Sequence, residues 1–198
     1  PSTMLPKAKA RLDAYNKLVG ESGASPGGSC LGTGMPGSMT GSGGYPMEIV
    51  HRPDQLTVIY EAHTELRHIY LGDRRIKQED RVPGRNGYSE AHWEGDTLVV
   101  DSAGFNNRTW LDRAGHGHSE SLRVTEKFRR TDFGHMQYEM TLDDPETFYK
   151  PLTFKLGVTY APDTDMLETV CNESDRNRMH MISTANQGIK LTPEVMAK

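Results

Sequence analysis

From Met47 to Cys171 the side chains alternate between apolar and polar in short runs, each closed by a turn signal. The runs are MEIVH, QLTVIYEAH, ELRHIYL, YSEAHW, DTLVVDSAGF, SESLRVTEKFRR, HMQYEMTL, LTFKLGVTY and DMLETVC. A period of two marks strands with one buried face. EGD at 94–96, TDFGH at 131–135 and APDTD at 161–165 read as hairpin connections. No helical pattern intervenes, so parallel βαβ units are not expected. About nine antiparallel strands in a meander predict a mainly β fold, a single lipocalin-like β-barrel, because closure removes exposed edges.

The first residues have a different period. In STMLPKAKARLDAYNKLVG, Leu5, Ala8, Leu12, Tyr15 and Val19 share a helical face; Ser2 or Thr3 can cap it and Gly20 ends it. A Gly/Ser-rich passage follows. It contains G-x-G-x-x-G at Gly32, Gly34 and Gly37, but no strand precedes it and Pro36 lies inside it. The dinucleotide reading therefore fails its context. The expected organisation is a helix over 1–20, a wrapping segment over 21–46, the barrel over 47–174 and a polar tail over 175–198. LTPEVMAK in that tail is expected to form one helical turn.

Alternation also assigns faces. One face reads Leu122, Val124, Glu126, Phe128; the next strands offer Met136, Tyr138, Met140, Leu142 and then Leu152, Phe154, Leu156, Val158, Tyr160. The last offers Met166, Glu168, Val170. Glu126 and Glu168 thus stand on apolar faces, where an unpaired carboxylate costs several kcal/mol. Each is expected either to pair with an arginine such as Arg67 or to border a wet ligand cavity. Farther up the chain, either Tyr60 or the pair Glu61 and His63 enters the interior, and alternation leaves that choice open.

The densest chemistry lies in GFNNRTWLDRAGHGHSESLRVTEKFRR, residues 104–130. His116 and His118 form an H-x-H element, a metal-site fragment if His92 joins it, but no second cluster has ligand spacing. Acid–base chemistry needs less. An imidazole oriented by a carboxylate moves protons near neutral pH, and His118 oriented by Asp112 or Glu126 fits that description. Ser119 and Ser121 lack the G-x-S-x-G elbow of a nucleophile. Trp110 reads either as a plug at the barrel end or as a wall for a flat ligand.

Composition narrows the classes. A chain of 198 residues with 25% charged residues and a net charge of −4 is neither disordered nor built for a polyanion. No apolar run approaches the roughly 18–20 residues of a membrane span. Neither nucleic acid nor membrane is an expected partner. Cys30 and Cys171 have no metal-ligand spacing. A bridge between them would close a long loop, contribute about 4–5 kcal/mol in the chain-entropy model and imply an oxidising compartment.

The stretch HWEGDTLVVDSAGFNNRTWLDRAGHGHSESLRVTEKFRR, with CLGTGMP before it and LETVCNES after it, resembles a large group of bacterial proteins. Those read W-E-G-D-T-L-V-V-D-T-x-G-F-N-x-x-T-W-L-D-x-x-G-x-P-H-S-E, and many look secreted. The resemblance covers most of residues 30–174 and implies a periplasmic or secreted protein. It brings no reaction with it. Its shared polar set falls on Asp101, Asn106, Trp110, Asp112, His118, Ser119 and Glu120. This chain departs in having Gly117 where the group has proline, and in its Gly-rich 37–44 segment.

The expectation is a cofactor-independent enzyme, with lyase, isomerase or cyclase proton transfer on a small apolar or aromatic molecule held in the barrel. His118 is the expected acid or base, Asp112 its orienting group, and Glu126 a second proton carrier. Tyr60, Arg67, Glu61, Glu168, Asn106 and Trp110 are the expected substrate contacts. The alternative is a lipocalin-type carrier that does no chemistry. Either form is compatible with a homo-oligomer.

Overall fold

A computed structural model describes residues 3–22, 32–40, 45–72, 77–112 and 114–167. The chain is mainly β. One helix, α1 (Pro6–Ser22), precedes a four-residue helix, α2 (Gly37–Thr40), and eight strands. These are β1 (Met47–Arg52), β2 (Gln55–Tyr60), β3 (Glu65–Leu71), β4 (Tyr88–Glu94), β5 (Thr97–Ala103), β6 (Arg123–Arg130), β7 (His135–Asp143) and β8 (Leu152–Thr159). They form a single sheet in sequence order, curled into a half-barrel. No described helix is long and apolar enough to cross a membrane.

The expected meander holds at every junction but one. β3 and β4 pair in parallel, with Ile69 opposite Ser89 and Leu71 opposite Ala91, so the sheet is mixed. A parallel neighbour needs a crossover of about a dozen residues or more, and the stretch from 72 to 87 supplies that length, with a 3-10 turn at Gln78–Asp80 among its described residues. Gly84 bridges to Phe105 there, and Arg81 lies 3.9 Å over the Tyr88 ring. Of the DMLETVC strand, Asp165–Leu167 are not in a strand and the rest lies outside the described residues. The helix runs two residues past Gly20; a glycine costs a helix only about 1 kcal/mol, and nothing crowds this one.

Register carries one inward row across the whole sheet. Val58 lies opposite Arg67, Val100 opposite Glu126, Glu126 opposite Met140, and Met140 opposite Phe154. The faces read from alternation in β6 and β7 are the buried ones: Val124, Glu126, Phe128, Tyr138, Met140 and Leu142 all lie in the core. β8 shares that row, yet Phe154 and Leu156 are 42% and 43% exposed. Among the described residues nothing closes the gap between β8 and β1, so an inward face need not be a buried one. At β2 it is Tyr60 that turns into the core, at 2% exposure.

The segment 32–40 packs over the interior, and its glycines show why. Gly34 has φ +65°, and a Cβ on it would lie 2.8 Å from the Arg85 carbonyl. A Cβ on Gly37 would lie 2.7 Å from the Trp110 carbonyl. The G-x-G-x-x-G spacing thus serves close backbone packing, which drives Met35 fully into the core. Gly34→Ala and Gly37→Ala are expected to cost about 1–3 kcal/mol, whereas Gly20→Ala in α1 is expected to stabilise by about 0.5–1 kcal/mol. Urea denaturation of the three variants checks this, and equal effects would contradict it.

Candidate functional site

The interior of the half-barrel is built around an ion pair. Arg67 from β3 donates through Nη1 to Glu126 Oε1 at 2.9 Å, and its Nη2 contacts Oε2. Ser89 from β4 takes Nε at 3.2 Å and Nη2 at 3.0 Å, and Ser102 from β5 takes Nη2 at 3.0 Å. The Sδ of Met35 lies 3.6 Å from Nη1. Tyr138 from β7 donates to Glu126 Oε1 at 2.7 Å. Both charged side chains are fully buried.

The pairing of Glu126 with Arg67 is therefore one of the two outcomes the sequence allowed. It also redefines both residues. Every guanidinium nitrogen is already engaged, so Arg67 has none left to polarise a substrate oxygen. Burial alone lowers an arginine pKa, but the Glu126 carboxylate outweighs it and holds Arg67 above its ordinary value. Burial pushes Tyr60 up to about 12. Burial, reinforced by the charge of Glu126, holds Tyr138 far above its ordinary value. Both phenols stay protonated near neutrality, and Tyr60 turns its hydroxyl to Met35 Sδ at 3.7 Å.

His118 is completely buried beside Phe105, their rings edge to face at 6.0 Å. Its Nδ1 faces the Ser119 carbonyl at 2.9 Å and its Nε2 faces Thr109 Oγ1 at 2.7 Å. A carbonyl only accepts, so Nδ1 carries the proton and Nε2 accepts from Thr109, an assignment drawn from the bonding pattern. Desolvation holds the imidazole pKa below its ordinary value. Asp112 does not orient it. That carboxylate bonds His116 Nδ1 at 2.7 Å and the backbone amides of Ala114 and His116, because the turn that brings His116 N back to Asp112 carries its ring along. The H-x-H histidines thus have separate partners, and His92 is exposed on β4 beside Glu94. No group of three or more His, Cys, Asp or Glu able to hold a metal occurs among the described residues.

The remaining candidates scatter. Asn106 Oδ1 accepts from Arg108 N at 3.2 Å, a local turn bond. Glu61 ends β2, and its Oε2 accepts from Leu167 N at 2.8 Å. Glu168, Cys30 and Cys171, and so the expected disulfide, lie outside the described residues. Ser119 donates to Asp144 Oδ1 at 2.6 Å, and Thr125 donates to Asp101 on the outer face at 2.7 Å. Trp110 is half-buried against Tyr15 of α1 at 6.1 Å; Met35, not the tryptophan, plugs the interior.

Three groups escaped sequence reading. Met35 sits in a segment without periodicity, so nothing marks it as core. Asp144 accepts from both Ser119 N and Oγ, and these bonds, against the cost of burial, hold its carboxyl below the usual range; the DDPET turn pattern was its only signal. Ser89 and Ser102 are small polar residues on an apolar parity, a sign that something long must fit above them.

Two hollows reach the surface. A trough of about 1040 Å³ runs along the unclosed seam, where Met47 and Ile49 of β1 face Leu156 and Val158 of β8, with Phe133 and Tyr160 at its rim. A smaller cleft of about 230 Å³ lies between α1 and the 107–117 loop. Neither is lined by His118, Glu126 or Arg67.

Glu126→Gln, which leaves Arg67 charged and uncompensated, is expected to cost about 3–5 kcal/mol, and Arg67→Met with Glu126→Leu less than the two single changes summed. Additive losses in denaturant melts would contradict the pairing. Because His118 is held below the ordinary 6.5, its contribution is complete above that value and lost as pH falls through the folded-state pKa. His118→Gln is expected to flatten stability against pH below 6.5 by up to about 1.4 kcal/mol per pH unit; an unchanged slope would refute the assignment.

Comparison with family models, with curated proteins and with solved structures found no match to this chain.

Proposed function

We propose that the chain binds a small, mostly apolar molecule in the seam trough and acts as a lipocalin-like carrier. One observation carries this reading: the inward row continues into β8 and β1 as exposed apolar side chains around a concave volume. Leu156 of β8 is 43% exposed and Ile49 of β1 40%, with Phe133 of the β6–β7 turn, 78% exposed, at the rim. Ligand pockets span about 300–1,000 Å³ and are mostly apolar, and the trough, at about 1040 Å³, is of that size. Export to the periplasm belongs to the same proposal and rests on the resemblance to secreted proteins.

The acid–base reading stands second, on a different pair from the one expected. Asp112 and His116 form an oriented carboxylate–imidazole couple with side chains 42% and 34% exposed. His118 and Glu126 support proton transfer less well, since their polar atoms are already bonded within the core.

A neutral fluorescent probe, N-phenyl-1-naphthylamine, is expected to bind saturably. Leu156→Asp is expected to weaken it at least about tenfold, since burying a leucine side chain contributes about 1.5–3 kcal/mol. Saturation without any effect of Leu156→Asp, or no saturation at all, would sink the carrier proposal. Turnover of a bound compound that is lost in His116→Ala would instead favour the enzyme.

A further inference from the structure

The smaller cleft differs from the trough in chemistry. It lies between Arg11 and Tyr15 of α1 and Asn107, Thr109, Trp110, Gly115 and Gly117. No acidic residue lines it. Arg11 is exposed, and among the described residues its guanidinium has no acidic or hydrogen-bonding partner. The same holds for the amide of Asn107. Lys9, one turn away, is by contrast paired with Asp13 at 2.7 Å.

The aromatic part is held in place. Tyr15 and Trp110 meet at 6.1 Å with their planes tilted by 46°, in contact with each other, and both rings border the cleft. Tyr15 lies so close to Gly115 that a Cβ there would sit 1.9 Å from its ring, so the loop fixes the tyrosine. Gly117 behaves differently. A Cβ on it would meet only Arg11 Nη2, at 3.8 Å, so the glycine leaves open space beside the guanidinium.

We propose that this cleft is a binding site for a small aromatic carboxylate. A planar guanidinium binds a carboxylate through two parallel hydrogen bonds, and the Tyr15 and Trp110 rings that border the cleft offer aromatic surface to a ligand ring. The size agrees. A cavity of about 150 Å³ admits benzene, and the 230 Å³ here has room for one ring and its carboxylate. The site is separate from the trough, so it stands whether or not the carrier reading does.

The probe is benzoate, with benzyl alcohol as the ring without charge and acetate as the charge without a ring. Binding is read by amide NMR shifts of residues 11–17 and 107–117 in the intact chain. Benzoate is expected to saturate, and the two controls to bind at least about tenfold more weakly. Arg11→Gln is expected to reduce benzoate affinity at least about tenfold while N-phenyl-1-naphthylamine binding holds. Gly117→Leu, which fills the open space without touching the charge, is expected to abolish benzoate binding. The site is overturned by an unsaturable benzoate response, by an unchanged Arg11→Gln variant, or by acetate binding as well as benzoate.

Discussion

The constraint on which this fold depends is a guanidinium and a carboxylate enclosed together in the half-barrel. Desolvating both ions costs several kcal/mol each, and their attraction offsets that only when the remaining polar atoms are also bonded. Arg67 and Glu126 meet that condition through Ser89, Ser102 and Tyr138, drawn from three further strands. The network therefore ties β3, β4, β5, β6 and β7 to one register. A slip of one residue in any of them would send a charge to the wrong face. It also dictates small residues at 89 and 102, which leave room for the arginine, and it gives Met35 a position to fill from the wrapping segment.

That network divides the concave face in two. The half from β3 to β7 is filled, with Arg67 and Glu126 paired and His118 bonded at both nitrogens behind Thr109. Among the described residues the half formed by β8 and β1 is open, with Met47, Ile49, Leu156 and Val158 along it and Glu48, Arg130 and Asp165 also lining it. Binding a molecule in the filled half would require displacing Met35 and breaking charge-assisted bonds. Binding in the open half displaces water from a mixed but largely apolar lining and breaks no buried ion pair. The balance of these costs favours the seam, rather than the 104–130 segment, as the surface where a small molecule binds.

Much of the fold was legible because period-two alternation reports burial directly. The inward rows of β6 and β7 and the turns at 94–96 and 131–135 follow from it. The parallel step between β3 and β4 was not legible, since alternation is the same in both directions and only the long 72–87 connection hints at it. Site geometry was harder still. His118 was singled out as an imidazole close to carboxylates and does lie buried, but the partnership with Asp112 failed because that loop turns tightly enough to give Asp112 to His116. The Gly34 and Gly37 spacing had a physical cause, close backbone approach, that a nucleotide motif would have concealed.

The most direct test of the division into a filled and an open half is where an apolar molecule touches the protein. Amide NMR during titration with N-phenyl-1-naphthylamine reads this residue by residue. The expected result is perturbation centred on Met47–Ile49 and on 156–160, with the amides of Arg67, Glu126 and Tyr138 unmoved. Shifts centred on Arg67, Glu126 and Tyr138 would contradict it, because they would place the ligand inside the ion-pair network.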